Sequence, residues 1–158
     1  MNQFFLVKVK YTKQQDNGTF KRVTEPYLLA AYTFTDAEAR IYDELGSLIK
    51  GEFIVQSIAR YEVEDIFAYD DADVWYKTTI SYKDGESEDG GKVVKKVFLT
   101  SAHSVKEATE RIVDNLSTLM VDYKITGTIE TPIIDIFPFE STIIESFVEE
   151  VHDDLPIA

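Results

Sequence analysis

The sequence contains no cysteine. That excludes a disulfide framework, a thiolate metal site and a cysteine nucleophile, and it makes a reducing cytoplasm the expected compartment. Only two histidines are present, and no Gly-rich phosphate loop or zinc spacing occurs, so the usual catalytic constellations have little to draw on. No stretch approaches the roughly 20 apolar residues of a membrane span, and the opening MNQFFLVKVKYTK lacks the basic segment and apolar run of a signal peptide. Cations are scarce as well: 16 Lys and Arg against 29 Asp and Glu give a formal net charge of -13 over 158 residues. As a total, that charge argues against a nucleic-acid partner. What remains is 44% hydrophobic, enough to bury a core in a compact chain of one domain or two pseudo-domains.

What is present is a repeat. Thr33 to Phe67, TFTDAEARIYDELGSLIKGEFIVQSIARYEVEDIF, returns from Ser104 to Phe137 as SVKEATERIVDNLSTLMVDYKITGTIETPIIDIF. Arg40 and Ile41 fall on Arg111 and Ile112, Leu45 on Leu116, and Asp65-Ile66-Phe67 on Asp135-Ile136-Phe137. The register extends backwards through Tyr11 on Tyr82 and Leu28 on Leu99, at an offset of about seventy residues.

Residues 2–11 alternate as a strand, and Asn17-Gly18 marks a hairpin turn before a return strand from Phe20 to about Tyr32. Pro26 cannot donate to a ladder, so an edge or a bulge is expected there. Thr33 or Thr35 caps a helix, and Ser104-x-x-Glu107 caps its counterpart. The apolar stripes are Ala37, Ile41, Leu45, Leu48 and Ile49, then Ala108, Ile112, Leu116, Leu119 and Met120. Gly51 is read as the stop of the first helix, and residues 52–67 as one long strand or two with a bend. These elements predict an α+β fold: two tandem β-β-α-β repeats, 1–67 and 74–139, packed as a pseudo-dimer of mainly antiparallel sheet with two helices. An acidic connector, 68–73, joins them, and an acidic tail, 140–158, follows.

Sorting the charges by element changes the meaning of the net value. Ten of the sixteen cations lie on the two hairpins: Lys8, Lys10, Lys13, Lys21, Arg22, Lys77, Lys83, Lys92, Lys95 and Lys96. The same hairpins carry Phe4, Tyr11, Phe20, Trp75 and Tyr82. Lysines that track phosphates, interleaved with rings on which bases stack, are what a single-strand binder requires. The candidate interface is therefore Phe4, Lys8, Lys10, Tyr11, Lys21, Arg22, Trp75, Lys77, Tyr82, Lys92, Lys95 and Lys96. The competing structural reading puts these rings in the core and makes the lysines guards of exposed strand edges. An enzyme would have to rest on Asp65 and Asp135, repeat-related carboxylates able to hold Mg²⁺. Because Ile134 replaces Glu64 in the second copy, a non-enzymatic protein without a cofactor or metal is expected.

Three resemblances add to this. The last residues, with Asp153, Asp154, Leu155, Pro156 and Ile157, resemble the tails of single-stranded-DNA-binding proteins, which are acidic and close on Asp-Asp-Ile-Pro-Phe. That resemblance implies a tail that recruits replication or repair proteins, with Ile157-Ala158 in place of the terminal aromatic. The body, through VTEPYLLAA, TDAEARI, GEF and the repeated DIF, resembles a bacterial and phage family described only as a domain of unknown function, which implies no catalytic residues. A looser likeness to PUR and whirly single-strand binders lies in the pairing of two strand-rich repeats, although their helix follows four strands. The expectation is a single-stranded DNA or RNA binder, monomeric with an internal pseudo-two-fold or homo-oligomeric, with no membrane partner. The alternative is a protein-interaction or assembly module that uses its strand edges and apolar tail.

Overall fold

The computed structural model describes residues 3–85 and 91–139. Ten elements follow in the order β1 (Phe4–Gln14), β2 (Phe20–Ala30), α1 (Phe34–Leu45), β3 (Phe53–Tyr61), β4 (Asp65–Phe67), β5 (Val74–Asp84), β6 (Lys92–Ala102), α2 (Val105–Asn115), β7 (Tyr123–Glu130) and β8 (Ile136–Phe137). The class is α+β, with two helices and mostly antiparallel pairing.

The strands form two four-stranded sheets, ordered β3-β1-β2-β8 and β4-β6-β5-β7. The compact units do not follow the repeat boundaries. One unit holds the chain up to Tyr61 together with the stretch from Ile136, and the other is Glu62–Asp135. The closing strands have been exchanged: β4, from the first repeat, pairs in parallel with β6, and β8, from the second, pairs in parallel with β2. Each repeat thus reads β-β-α-β-β, with its last short strand completing the other repeat's sheet.

A repeated arginine holds each exchanged strand. Arg40 donates to the Ala30 carbonyl and, at 3.0 Å, to the Pro138 carbonyl just beyond β8, with its guanidinium 5.9 Å from the centre of the Phe139 ring. Arg111 donates to the Ser101 carbonyl at 2.7 Å and to Asp71 at 2.8 Å, and its guanidinium stands 4.1 Å from the centre of the Tyr69 ring. The repeat explains the match: Ala30 aligns with Ser101 and Phe139 with Tyr69.

In the first unit Phe5, Val7 and Val9 of β1, Tyr27 and Leu29 of β2, and Ala37, Ile41 and Leu45 of α1 make one buried cluster. In the second, Ile80, Phe98, Ile112 and Leu116 do the same, beside a smaller group of Tyr76, Ala102 and Ala108. Thr33, not Thr35, caps α1, accepting from the Asp36 amide at 3.0 Å while Asp36 accepts from the Tyr32 amide at 2.9 Å. Ser104 caps α2 in the same way, accepting from the Glu107 amide at 3.1 Å while Glu107 accepts from the His103 amide at 2.9 Å. Each arrangement satisfies one amide that the first turn leaves unbonded, Asp36 or Glu107, and one just ahead of the cap, Tyr32 or His103.

The helices end earlier than the apolar stripes suggest. α1 stops at Leu45, six residues before Gly51, whose φ of 89° serves the turn into β3. Consequently Leu48 is exposed, as are Leu119 and Met120 after α2. Pro26 falls where β8 does not reach, since that strand engages only Leu28 and Leu29. Of the two readings of residues 52–67, one long strand or two with a bend, the structure has two strands, with the break at Glu62 to Glu64. Among the described residues no helix is long and apolar enough to cross a membrane.

Candidate nucleic-acid interface

Strand alternation gives every sheet two faces, and the pairing register fixes which side chains share one. In the first unit Phe5, Val7, Val9 and Tyr11 face α1, so Phe4, Leu6, Lys8, Lys10 and Thr12 lie on the open face. Their partners across β2 and β3 include Arg22, Thr24 and Leu28, and Ile54 opposite Lys10. The second unit repeats this: Tyr76, Ile80 and Tyr82 face α2, while Trp75, Lys77, Thr79, Ser81 and Lys83 lie on the open face, with Lys95 on β6 and Lys124 on β7 beside them.

The charges then segregate. Among the registered strand positions, the open faces carry Lys8, Lys10 and Arg22 in the first unit and Lys77, Lys83, Lys95 and Lys124 in the second, and no acid at all. Glu25, Asp65, Asp84 and Glu130 all fall on the helix-facing side. Six of the seven cations are exposed, and Lys77 is intermediate. Exposed aliphatics lie directly opposite lysines: Ile54 beside Lys10, Ile129 beside Lys77, Val93 beside Lys83. Lysine stems cover such carbons while the ammonium stays in water. Toward the end away from the hairpin each face is partly covered, since Leu28, Ala30 and Leu99 there have no solvent access.

Seven of the twelve residues expected to form the interface are therefore together on open faces: Phe4, Lys8, Lys10 and Arg22, then Trp75, Lys77 and Lys95. Tyr11, Lys21, Tyr82, Lys92 and Lys96 point to the helix side. Tyr11 is part of a network there, its hydroxyl donating to the Glu25 carboxylate, which also takes Tyr27 at 3.4 Å and Lys13 at 3.7 Å. Burial and that carboxylate raise the Tyr11 pKa above the ordinary phenol value, which keeps the hydroxyl a donor. Lys96 pairs with Glu64 at 3.2 Å, and Lys92 stands across from Asp84. Trp75 is on the open face but only 8% exposed. Three further open-face residues lie outside the expected twelve: Phe20 and Lys83, which the sequence places among the hairpin rings and cations, and Lys124, which it does not single out. The alternation that places Arg22 and Lys77 places Phe20 and Lys83 too. The predicted recruiting tail, with Asp153, Asp154, Leu155, Pro156 and Ile157, lies outside the described residues.

Among the described residues, one cluster of potential ligands stands away from these faces, at the start of α2: Asp71, His103 and Glu107. Asp65 and Asp135 are not in it. Both ring nitrogens of His103 are engaged, Nδ1 with Glu107 at 2.8 Å and Nε2 with the Asp71 carbonyl at 2.7 Å, which fits an imidazolium. The Arg111 guanidinium lies 2.8 Å from Asp71 and 3.3 Å from Glu107, where a metal ion would have to sit. The cluster therefore works as an ion-pair strap between the 69–73 segment and the helix.

Its titration has a definite sign. The hydrogen bond to Glu107 and then the Asp71 carbonyl raise the His103 pKa above its ordinary 6.5. Its contribution to stability is thus full below 6.5 and lost as pH rises through the higher folded value. Arg111 depresses Asp71 below 3.8, and the His103 amide and ring depress Glu107 below 4.5, so their contribution is present above those values and lost in acid. Thermal melts should therefore show a maximum between about pH 4.5 and 6.5 and a decline toward pH 8.5 that His103→Gln removes. Identical pH profiles for the two proteins would remove the strap from the account.

Compared with known families, residues 3–139 match the family described as Domain of unknown function (DUF4494). The chain belongs to it. The match takes in both repeats and both exchanged strands, and it ends where the described residues end, so in this family member the open faces and the arginine latches lie within the shared domain. Among curated proteins nothing matches this chain.

Proposed function

We propose that this family member is a non-enzymatic single-stranded nucleic-acid-binding protein, DNA being the expected ligand, that lays the strand along the open faces of its sheets. The observation that carries the reading is the segregation of charge. In a chain of net charge -13, seven cations and no acid occupy the registered open-face positions. A uniformly acidic surface would repel a polyanion, whereas a locally cationic face attracts one and leaves the rest of the surface to orient it. Hydroxyls of Thr12, Thr79 and Ser81 stand among these cations and can donate to phosphate oxygens. The internal repeat supports a similar contact surface on each of the two units. The acidic tail fits the remaining roles, recruiting a replication or repair protein and competing for the cationic faces.

Fluorescence anisotropy of a labelled single-stranded oligonucleotide tests this. If all seven cations meet phosphates, log Kd should change with log salt at a slope of about 5 in magnitude, from roughly 0.7 per contact on single strands, and little with base composition. A slope near zero, or no binding at micromolar protein in low salt, would sink the reading.

A second reading draws on Ile54, Val93 and Ile129, exposed on the same faces, and on the burial of Trp75. They suit a protein partner, and a protein-interaction or assembly module is the function left standing if the oligonucleotide does not bind.

A further inference from the structure

The two open faces are alike in charge and unlike in rings. On the first, Phe20 stands opposite Gln14 at the far end of the hairpin, on the side that carries Lys10 and Arg22, and is 70% exposed. In the repeat register its counterpart is Gly91, so the second face has no ring at that place. The remaining aromatic side chains on the open faces are withdrawn: Phe4 and Tyr61 are half-buried toward the end where Leu28 and Ala30 are covered, and Trp75 is 8% exposed. A base needs an accessible ring face to stack on, whereas a phosphate needs only a reachable cation or hydroxyl.

We infer that the chain grips its ligand by the phosphodiester backbone, with Phe20 as the single base-stacking position and with base identity, or even the presence of a base, immaterial elsewhere. The inference rests on the proposed single-strand binding and narrows its ligand to the sugar-phosphate chain. It separates the contributions of the two units. The second unit, with Lys77, Lys83, Lys95 and Lys124, holds backbone alone, while the first adds one ring to its three cations.

The test compares two labelled single strands of equal length at low salt, one of mixed sequence and one abasic throughout, against the full chain. The wild type should bind the abasic strand about tenfold more weakly, the scale of one lost stack. Phe20→Ala should weaken binding to the mixed strand by the same factor and leave the abasic strand unaffected, so that the two ligands become equal. Phe20→Tyr, which keeps a ring, should restore the difference. Because Phe20 is at an exposed tip, both variants should melt with the wild type. A loss of a hundredfold or more on the abasic strand, or a preference that survives Phe20→Ala, would overturn the inference by showing that bases are read elsewhere. Failure of the wild type to bind either strand would instead remove the single-strand reading, and the inference with it.

Discussion

Trp75→Ala should destabilise the fold by about 3–5 kcal/mol, the cost of emptying a buried indole site. Trp75 reads in the sequence as a ring for stacking bases, yet it is 8% exposed, and its carbonyl takes both the Thr131 amide at 2.8 Å and the Thr131 hydroxyl at 2.9 Å. At about 2–4 °C per kcal/mol for a chain of this length, the melting midpoint should fall by roughly 6–20 °C. Tyr82→Ala should cost less, because Tyr82 is only partly buried against Ile80 and Phe98. Calorimetry or a circular-dichroism melt decides the matter. A Trp75→Ala protein that melts normally and loses oligonucleotide affinity would return the indole to the ligand.

The larger effect on binding should come from charge reversal on the open faces. Lys8→Glu with Lys10→Glu places two acids where the first unit has two of its three open-face cations, and Lys77→Glu with Lys95→Glu does the same to two of four in the second. Each pair removes two contacts and should lower the salt slope by about 1.4. With all four changes, affinity at physiological salt should fall at least a hundredfold, since losing the contacts is compounded by repulsion. Lys21→Glu with Lys92→Glu is the internal comparison: both lie on hairpins, but on the helix-facing side. If the second set of changes weakens binding as much as the first, the ligand is not on the open faces, and bulk charge explains the attraction.

Much of this architecture is legible in the sequence because the repeat carries it. Arg40 on Arg111 and Asp-Ile-Phe on Asp-Ile-Phe announce the repeat, and the capping residues place the start of α2 at Ser104 and leave two choices, Thr33 and Thr35, for that of α1. What the repeat cannot convey is which partner a segment chooses. A three-residue strand after a break at Glu62 to Glu64 can close its own sheet or the other one with the same local chemistry, and only tertiary pairing distinguishes them. Helix ends were misread for a related reason. The apolar spacing of Leu48 and Ile49 continues a 3.6-residue period past Leu45, but the chain has already turned, so Ile49 is buried and Leu48 is 65% exposed.

The interface was half legible. Composition located the cations on hairpins, and alternation divides them into two sets, but nothing local says which set faces a helix. That depended on Phe5, Val7 and Val9 packing on Ile41 and Leu45. Once one core position is known, period two assigns the rest, including Phe20 and Lys83. Trp75 escapes even this rule, since the open face is covered at one end of the strand and bare at the other.

The exchange of closing strands also sets an order of assembly. Everything in the second unit, Glu62–Asp135, is contiguous, so all four of its strands have been synthesised before Ile136 is added. The first sheet, although its hairpin is synthesised first, lacks its fourth strand until residues 136 and 137 arrive to pair with Leu28 and Leu29. A nascent chain ordinarily completes its amino-terminal unit first. Here the sheet whose hairpin is made before the other's is the later of the two to be finished, and its final pairing spans more than a hundred residues of chain, the kind of distant closure that slows folding.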